Sequence, residues 1–205
     1  MLCIEVDNVN QGLAEGLRRV VNMGLERPSR NGPVLVMPGP VTTTYKRPTN
    51  RVLFSQRRDA NPFFHCMEGL WMLAGRNDVE WPAYFAKNMR SYTDDGHTLH
   101  GAYGYRWLKH FKFDQLALII DQLKHDPNSR RAVLQMWDAP VDLNQWDAKD
   151  IPCNTHAYFD ILDGKLNMTV CCRSNDIWWG CYGANAVHFS MLLEYMAAAM
   201  GVLVG

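Results

Sequence analysis

Cys153 sits in Asp150-Ile151-Pro152-Cys153-Asn154, just after a proline and at the start of an apolar run. A cysteine so placed can present its sulfur at a sheet edge. The thiolate is the nucleophile, so a cation must stand close to it. Arg173 and the pair Arg130-Arg131 are the candidates. Taken alone, Cys153 reads as a packed thiol before it reads as a nucleophile. Arg130 and Arg131 enter an expected strand, where adjacent side chains point to opposite faces. One can then face a site and the other an interface, and guanidinium forks match phosphate oxygens. Two solvated charges is the plainer alternative. Arg173-Ser174-Asn175-Asp176 ends a strand carrying Leu166, Met168 and Val170. It either positions polar groups for a ligand or makes a turn.

Glu68 lies between apolar residues in the stretch 63–75, where a carboxylate is costly unless paired or functional. It is a candidate for proton handling. Asn185 opens the last helix; it either caps that helix or offers its amide to the edge of a uracil-like base. Tyr103, Gly104 and Trp107 read as pocket lining or core, and Trp71 beside Glu68 reads as core. His156 and His188 read as packed, hydrogen-bonded histidines. None of the six cysteines (3, 66, 153, 171, 172 and 181) forms a CxxC pair, and the histidines fit no metal motif. Free, mostly buried thiols and no metal are expected.

These residues need elements to hold them. Spacings of three and four in 8–24 (Val9, Leu13, Leu17, Val20, Val21) predict an amphipathic helix. A largely buried helix is expected over 63–75 and another over 113–124, capped by Asp114 and stopped by Asp126-Pro127. A long apolar helix is expected over 185–200. Strands are expected at 33–39, 51–56, 131–138, 156–162 and 165–176. Polar turn material separates the first two, and an Asp163-Gly164 hairpin joins the last two. Clustered strands with flanking helices give an α+β class, read as one domain over 1–205. Hydrophobic residues at 47% supply a core, so disorder is not expected. Lys plus Arg and Asp plus Glu both number 21, so no bulk charge draws a polyanion such as DNA. No apolar run reaches membrane-spanning length and the N-terminus carries acids rather than a basic leader. The expectation is a cytoplasmic protein without a membrane partner.

Five segments, in order, resemble the thymidylate synthase / pyrimidine hydroxymethylase family. HCMEGLWMLAG is similar to its HELLWFLxG helix, and HGAYGYRW to GPVYGxQWR. DQLKHDPNSRRAVLQMWD resembles LKxDPxSRRxxxxxWN. IPCNTHAYFDILDGKLNMTVCCRSND resembles PPCHxxxQFYVxxGxLxxxxxQRSxD, and GCYGANAVHFSML resembles GxPFNIAxYxLL. The resemblance implies a mixed sheet with flanking helices and a homodimer joined through the sheet, with shared sites. It also implies transfer of a one-carbon unit from 5,10-methylenetetrahydrofolate, as co-substrate, to C5 of a pyrimidine nucleotide monophosphate.

Residue by residue, the resemblance makes Cys153 the nucleophile at C6 and Glu68 the acid acting through water, with Tyr103 and Asn154 beside them. Arg173, Arg130, Arg131 and the weaker match Arg30 fall to the phosphate, with the arginine pair reaching across the dimer. Ser174 and Asn185 fall to the nucleotide. Asp176, Gly180, Trp71 and Met89 fall to the folate side. Asn154 stands where synthases have His, Cys172 where they have Gln, and Met89 where a Trp is typical. The later His and Tyr that hold the sugar, and the tail over folate, have no counterpart before Gly205, so a truncated chain is expected. The leading reading is thymidylate synthesis from dUMP. A hydroxymethylase of dUMP or of dCMP/CMP, in which water takes the place of hydride, is the alternative. An inactive relative that binds nucleotide or RNA is the second.

Overall fold

The computed structural model describes residues 1–29 and 32–205. They pack as two compact units: 1–60 with 176–187, and 61–175 with 188–205.

In the first unit, β1 (Leu2–Val6) leads into α1 (Val9–Met23). Asn8 starts α1 by accepting the N–H groups of Asn10 and Gln11 on its side chain. The apolar stripe is narrower than the spacing predicts: Val9 and Leu13 are buried but Val21 is 69% exposed. β2 (Leu25–Ser29) pairs antiparallel with β3 (Gly32–Val36). The expected turn material after it contains β4 (Val41–Tyr45), parallel to β1. A threonine-rich run conceals that strand from an apolar pattern.

The expected strand at 51–56 does not form. Asn10 accepts the Phe54 N–H and donates to the Val52 carbonyl, both at ladder distances of 2.8 and 2.9 Å. One side-chain amide thus does the work of a neighbouring strand. Val9, Leu13, Leu53 and Tyr182 form this unit's core.

The second unit opens with α2 (Pro62–Leu73), capped by Asn61. Only one side of α2 is covered, against expectation: Phe63 is 78% and Leu70 48% exposed, while Trp71 and Met72 are buried. Then come α3 (Glu80–Phe85) and a short turn α4 (Tyr103–Tyr105) that widens into Arg106–His110. α5 (Gln115–His125) starts at Asp114 as expected. β5 is only Val133–Gln135, after which α6 (Ala139–Asp142) turns the chain.

β6 (Asn154–Leu162) and β7 (Lys165–Cys172) form the hairpin, with positive φ at both Asp163 and Gly164 as a tight I′ turn needs. α7 (Asn185–Met200) arises in the first unit and runs into the second, where β8 (Leu203–Val204) joins the sheet in the order β5-β6-β7-β8. Leu134, Ala157, Phe159 and Leu166 on one face of that sheet are buried with Leu192 and Met196 of α7. The other face shows Val133 and Tyr158, 40% and 46% exposed. The elements agree with an α+β class.

Free thiols are found, but none is fully buried. Cys3, Cys66 and Cys172 are exposed and the other three half-buried. Cys3 alternates with the inward Ile4 on β1, and Cys66 lies on the uncovered side of α2.

Candidate active site

Cys153 is half-buried at the bend that enters β6. Its N–H donates to the Tyr103 hydroxyl at 3.0 Å, and the N–H of Asn154 donates to the same oxygen at 3.2 Å. Its carbonyl accepts the N–H of Arg173 at 2.9 Å. Burial pushes the Tyr103 phenol well above its ordinary pKa, so this hydroxyl stays protonated at neutral pH. Two consecutive backbone donors on one phenol oxygen fix where the cysteine sits.

Arg173 folds back over the same loop. Nε donates to the Pro152 carbonyl at 2.9 Å and Nη2 to the Ile151 carbonyl at 3.1 Å. The guanidinium also lies over the Trp137 ring, 5.5 Å from its centre. The guanidinium thus braces the loop that carries Cys153. Its remaining N–H donors make no hydrogen bond among the described residues.

Asn154 is fully buried. Cys172 approaches its Oδ1 at 2.8 Å, and Asn175 donates to the Cys172 sulfur at 3.6 Å. Desolvation of the sulfur, together with the nearby thiols of Cys153 and Cys171, pushes the Cys172 thiol up to about 11. It stays an S–H donor, which orients the amide with its nitrogen outward from Cys172. That Nδ2 has no hydrogen-bond partner among the described residues.

Behind the loop, Asp150 accepts the Gly101 N–H at 2.8 Å. Burial raises its pKa, offset in part by that bond and by the charges of His100 and Arg106. Arg106, fully buried, pairs with both carboxylate oxygens of Asp142 at 2.8 Å and donates to the Met136 carbonyl. His100 meets Asp142 at 2.8 Å. Burial opposes ionisation of Asp142, but the bonds from Arg106, the Asp138 N–H and His100 outweigh it and lower its pKa.

The other expected site residues fall into separate places. Glu68, on α2, has Oε2 2.9 Å from Nε2 of His188 on α7. Trp71 is a core residue, 4% exposed, whose Nε1–H donates to the Asp78 carbonyl. Met89 is half-buried in a 3₁₀ turn against the same core. Ser174 is exposed just past β7.

Arg130 and Arg131 precede β5 rather than entering it, because Asp126-Pro127-Asn128-Ser129 turns the chain first. They do not split between faces but line one surface concavity with Gln122, His125 and Ser129.

In the first unit, Asp176 uses Oδ1 to accept the N–H groups of Trp178 and Trp179, starting a wide helical turn that contains Gly180. Asn185 follows that turn with helical φ −64° and ψ −38°, so it is not an N-cap. Arg30 lies outside the described residues.

Sequence reasoning passed over Asp150, which ties the loop to Gly101, and the buried pair Arg106–Asp142. A charge inside the apolar segment 102–108 was the available signal for Arg106. The two aspartates lie in polar stretches that give none.

The thymidylate synthase family model matches residues 13–205. A deoxyuridylate hydroxymethyltransferase of Pseudomonas phage M6 is 59% identical over 203 residues, covering 98% of this chain and 58% of that protein. Another deoxyuridylate hydroxymethyltransferase, of Bacillus phage SP01, is 40% identical over 81% of this chain and 46% of its own length. A putative thymidylate synthase of Methanothermobacter thermautotrophicus (strain ATCC 29096 / DSM 1053 / JCM 10044 / NBRC 100330 / Delta H) is 29% identical over 98% of this chain and 87% of its own length. The chain thus spans about half the length of the phage relatives it matches. With most of its residues matched in this way, the chain belongs to the thymidylate synthase family.

Proposed function

We propose that residues 1–205 act as one catalytic domain that transfers a one-carbon unit from 5,10-methylenetetrahydrofolate to C5 of dUMP. The observation that carries this reading is the pinned cysteine, with Cys153 held at its backbone by Tyr103 and flanked by Arg173. C5 of uracil is a poor nucleophile. When the Cys153 sulfur adds to C6, the electron pair moves into the ring and C5 becomes an enolate carbon. Glu68 handles the proton at the base carbonyl through water. C5 then bonds to the one-carbon unit and loses its hydrogen as a proton, tetrahydrofolate leaves with the electrons of its carbon–nitrogen bond to give an exocyclic methylene, and Cys153 departs from C6 after a nucleophile has added to that methylene.

Arg173, with Arg130, Arg131 and Arg30, is assigned to the phosphate, Ser174 to the nucleotide and Asn185 to the uracil edge. The residues are compatible with folate: Asp176 spends one carboxylate oxygen on its turn and keeps the other for an N–H donor. Folate supplies the one-carbon unit as a consumed co-substrate. Gly180, Trp71 and Met89 are also assigned to folate, with Trp71 acting as a buried support.

The outcome we favour is hydroxymethylation, in which water adds to the exocyclic methylene and nothing is reduced. The two phage relatives bear that name, and Asn154 replaces the synthase His with a buried donor. Methylation, in which hydride reduces the same methylene, is the second reading, supported by the archaeal relative.

One assay separates the readings. The protein is incubated with dUMP and methylenetetrahydrofolate, and the product mass and dihydrofolate absorbance are read. Hydroxymethyl-dUMP without dihydrofolate is expected; dTMP with dihydrofolate establishes the second reading. Cys153→Ser should abolish turnover and the covalent adduct with fluorinated dUMP. Near-normal turnover in that variant overturns the mechanism.

A further inference from the structure

His188 belongs to none of the roles above. It is 5% exposed, and its Nε2 lies 2.9 Å from Oε2 of Glu68, whose side chain is 14% exposed. In the motif GxPFNIAxYxLL it falls at an unspecified position. A largely buried carboxylate needs a partner, and this imidazole meets it.

The fold brings the two together deliberately. Gly69, next to Glu68, faces α7: a Cβ there would stand 2.5 Å from the Met191 sulfur, one turn beyond His188. His65 meets the His188 ring edge-on, with centres 6.4 Å apart and planes at 83°, which limits rotation of the ring. The contact has ion-pair distance but is out of line for a hydrogen bond. Catalytic hydrogen bonds are often misaligned before substrate binds and tighten afterwards.

We propose that His188 is the positioning residue for Glu68: its Nε2–H holds one carboxylate oxygen so that the other is presented to the reacting pyrimidine. This rests on the reading that Glu68 handles a proton in the transfer.

The test uses two substitutions. His188→Phe keeps the ring and loses the donor, while His188→Gln places an amide N–H where Nε2 stood. The readout is tritium release from dUMP labelled at C5, with methylenetetrahydrofolate present. His188→Phe should lower kcat on the order of ten- to a hundredfold, as loss of a charge-assisted hydrogen bond does, with KM for dUMP unchanged. His188→Gln should restore most of the loss. In a Glu68→Gln background, His188→Phe should cost little more, because the two act as one unit.

Parent-like kcat in His188→Phe overturns the proposal, as does equal impairment of the Phe and Gln variants or full additivity with Glu68→Gln. The pair is also read without turnover. In ¹⁵N-histidine spectra the His188 Nε2 signal should shift in Glu68→Gln, and an unmoved signal overturns it. If the parent releases no tritium, the one-carbon reading fails, and the spectra alone decide the pair.

Discussion

Tyr103 holds the backbone of the proposed nucleophile, Cys153, through a single oxygen that accepts two consecutive N–H groups. Tyr103→Phe leaves both donors unpaired, at about 1–3 kcal/mol for each buried one. The expected result is a clear fall in kcat together with a lower denaturation midpoint; a Phe variant equal to the parent in both measurements refutes the clamp. Asp150 makes the opposite kind of contribution. Burial raises its folded pKa, so its ionised form is disfavoured in the folded state. The stabilising part is present below the unfolded value of about 3.9 and is lost as pH rises through the folded one. At neutral pH the charge is therefore a cost. Asp150→Asn can still accept the Gly101 N–H, so it should raise Tm at pH 7, with the gain vanishing toward about pH 4. Thermal scans across that range check the sign.

At the level of elements, the Arg106–Asp142 pair ties the helical turn after α4 to α6 and, through the Met136 carbonyl, to the end of β5. Asp142→Ala leaves a guanidinium buried without its partner, which costs about 3–5 kcal/mol. Denaturant titration should show that loss. The Asp142 pKa is depressed, so its stabilisation is complete above the unfolded value and disappears only as pH falls through the folded one, on the acid side.

Helices and the hairpin were legible in the sequence because their signals are local: Asp114 as a cap, three-and-four spacing, Asp163-Gly164 as a turn. The missing strand at 51–56 and the unforeseen β4 were not, because a distant Asn10 amide and a parallel partner decided them. The site was half legible for the same reason. Cys153 and Arg173 show as motifs, whereas the contacts from Asp150 and His188 join segments 49 and 120 residues away.

For the whole molecule, we expect a homodimer with shared sites, formed through the sheet face that carries Val133 and Tyr158. Mixing an inactive Cys153 variant with an inactive Arg130/Arg131 variant, under subunit exchange, should restore some turnover. A monomer in ultracentrifugation, or no rescue, counts against it. No helix among the described residues is long and apolar enough to cross a membrane.

The core of the first unit carries a consequence for anyone who tries to stabilise this protein. α1 contains Gly12 and Gly16, each worth up to about 1 kcal/mol less than alanine in a helix interior, so helix propensity alone nominates both for replacement. The Tyr182 ring occupies the room that they leave: a Cβ on Gly16 would stand 2.2 Å from it, and one on Gly12 2.8 Å. Gly16→Ala should therefore lower Tm despite the better helix former, and heat-resistant variants found by selection should keep both glycines or shrink the tyrosine with them.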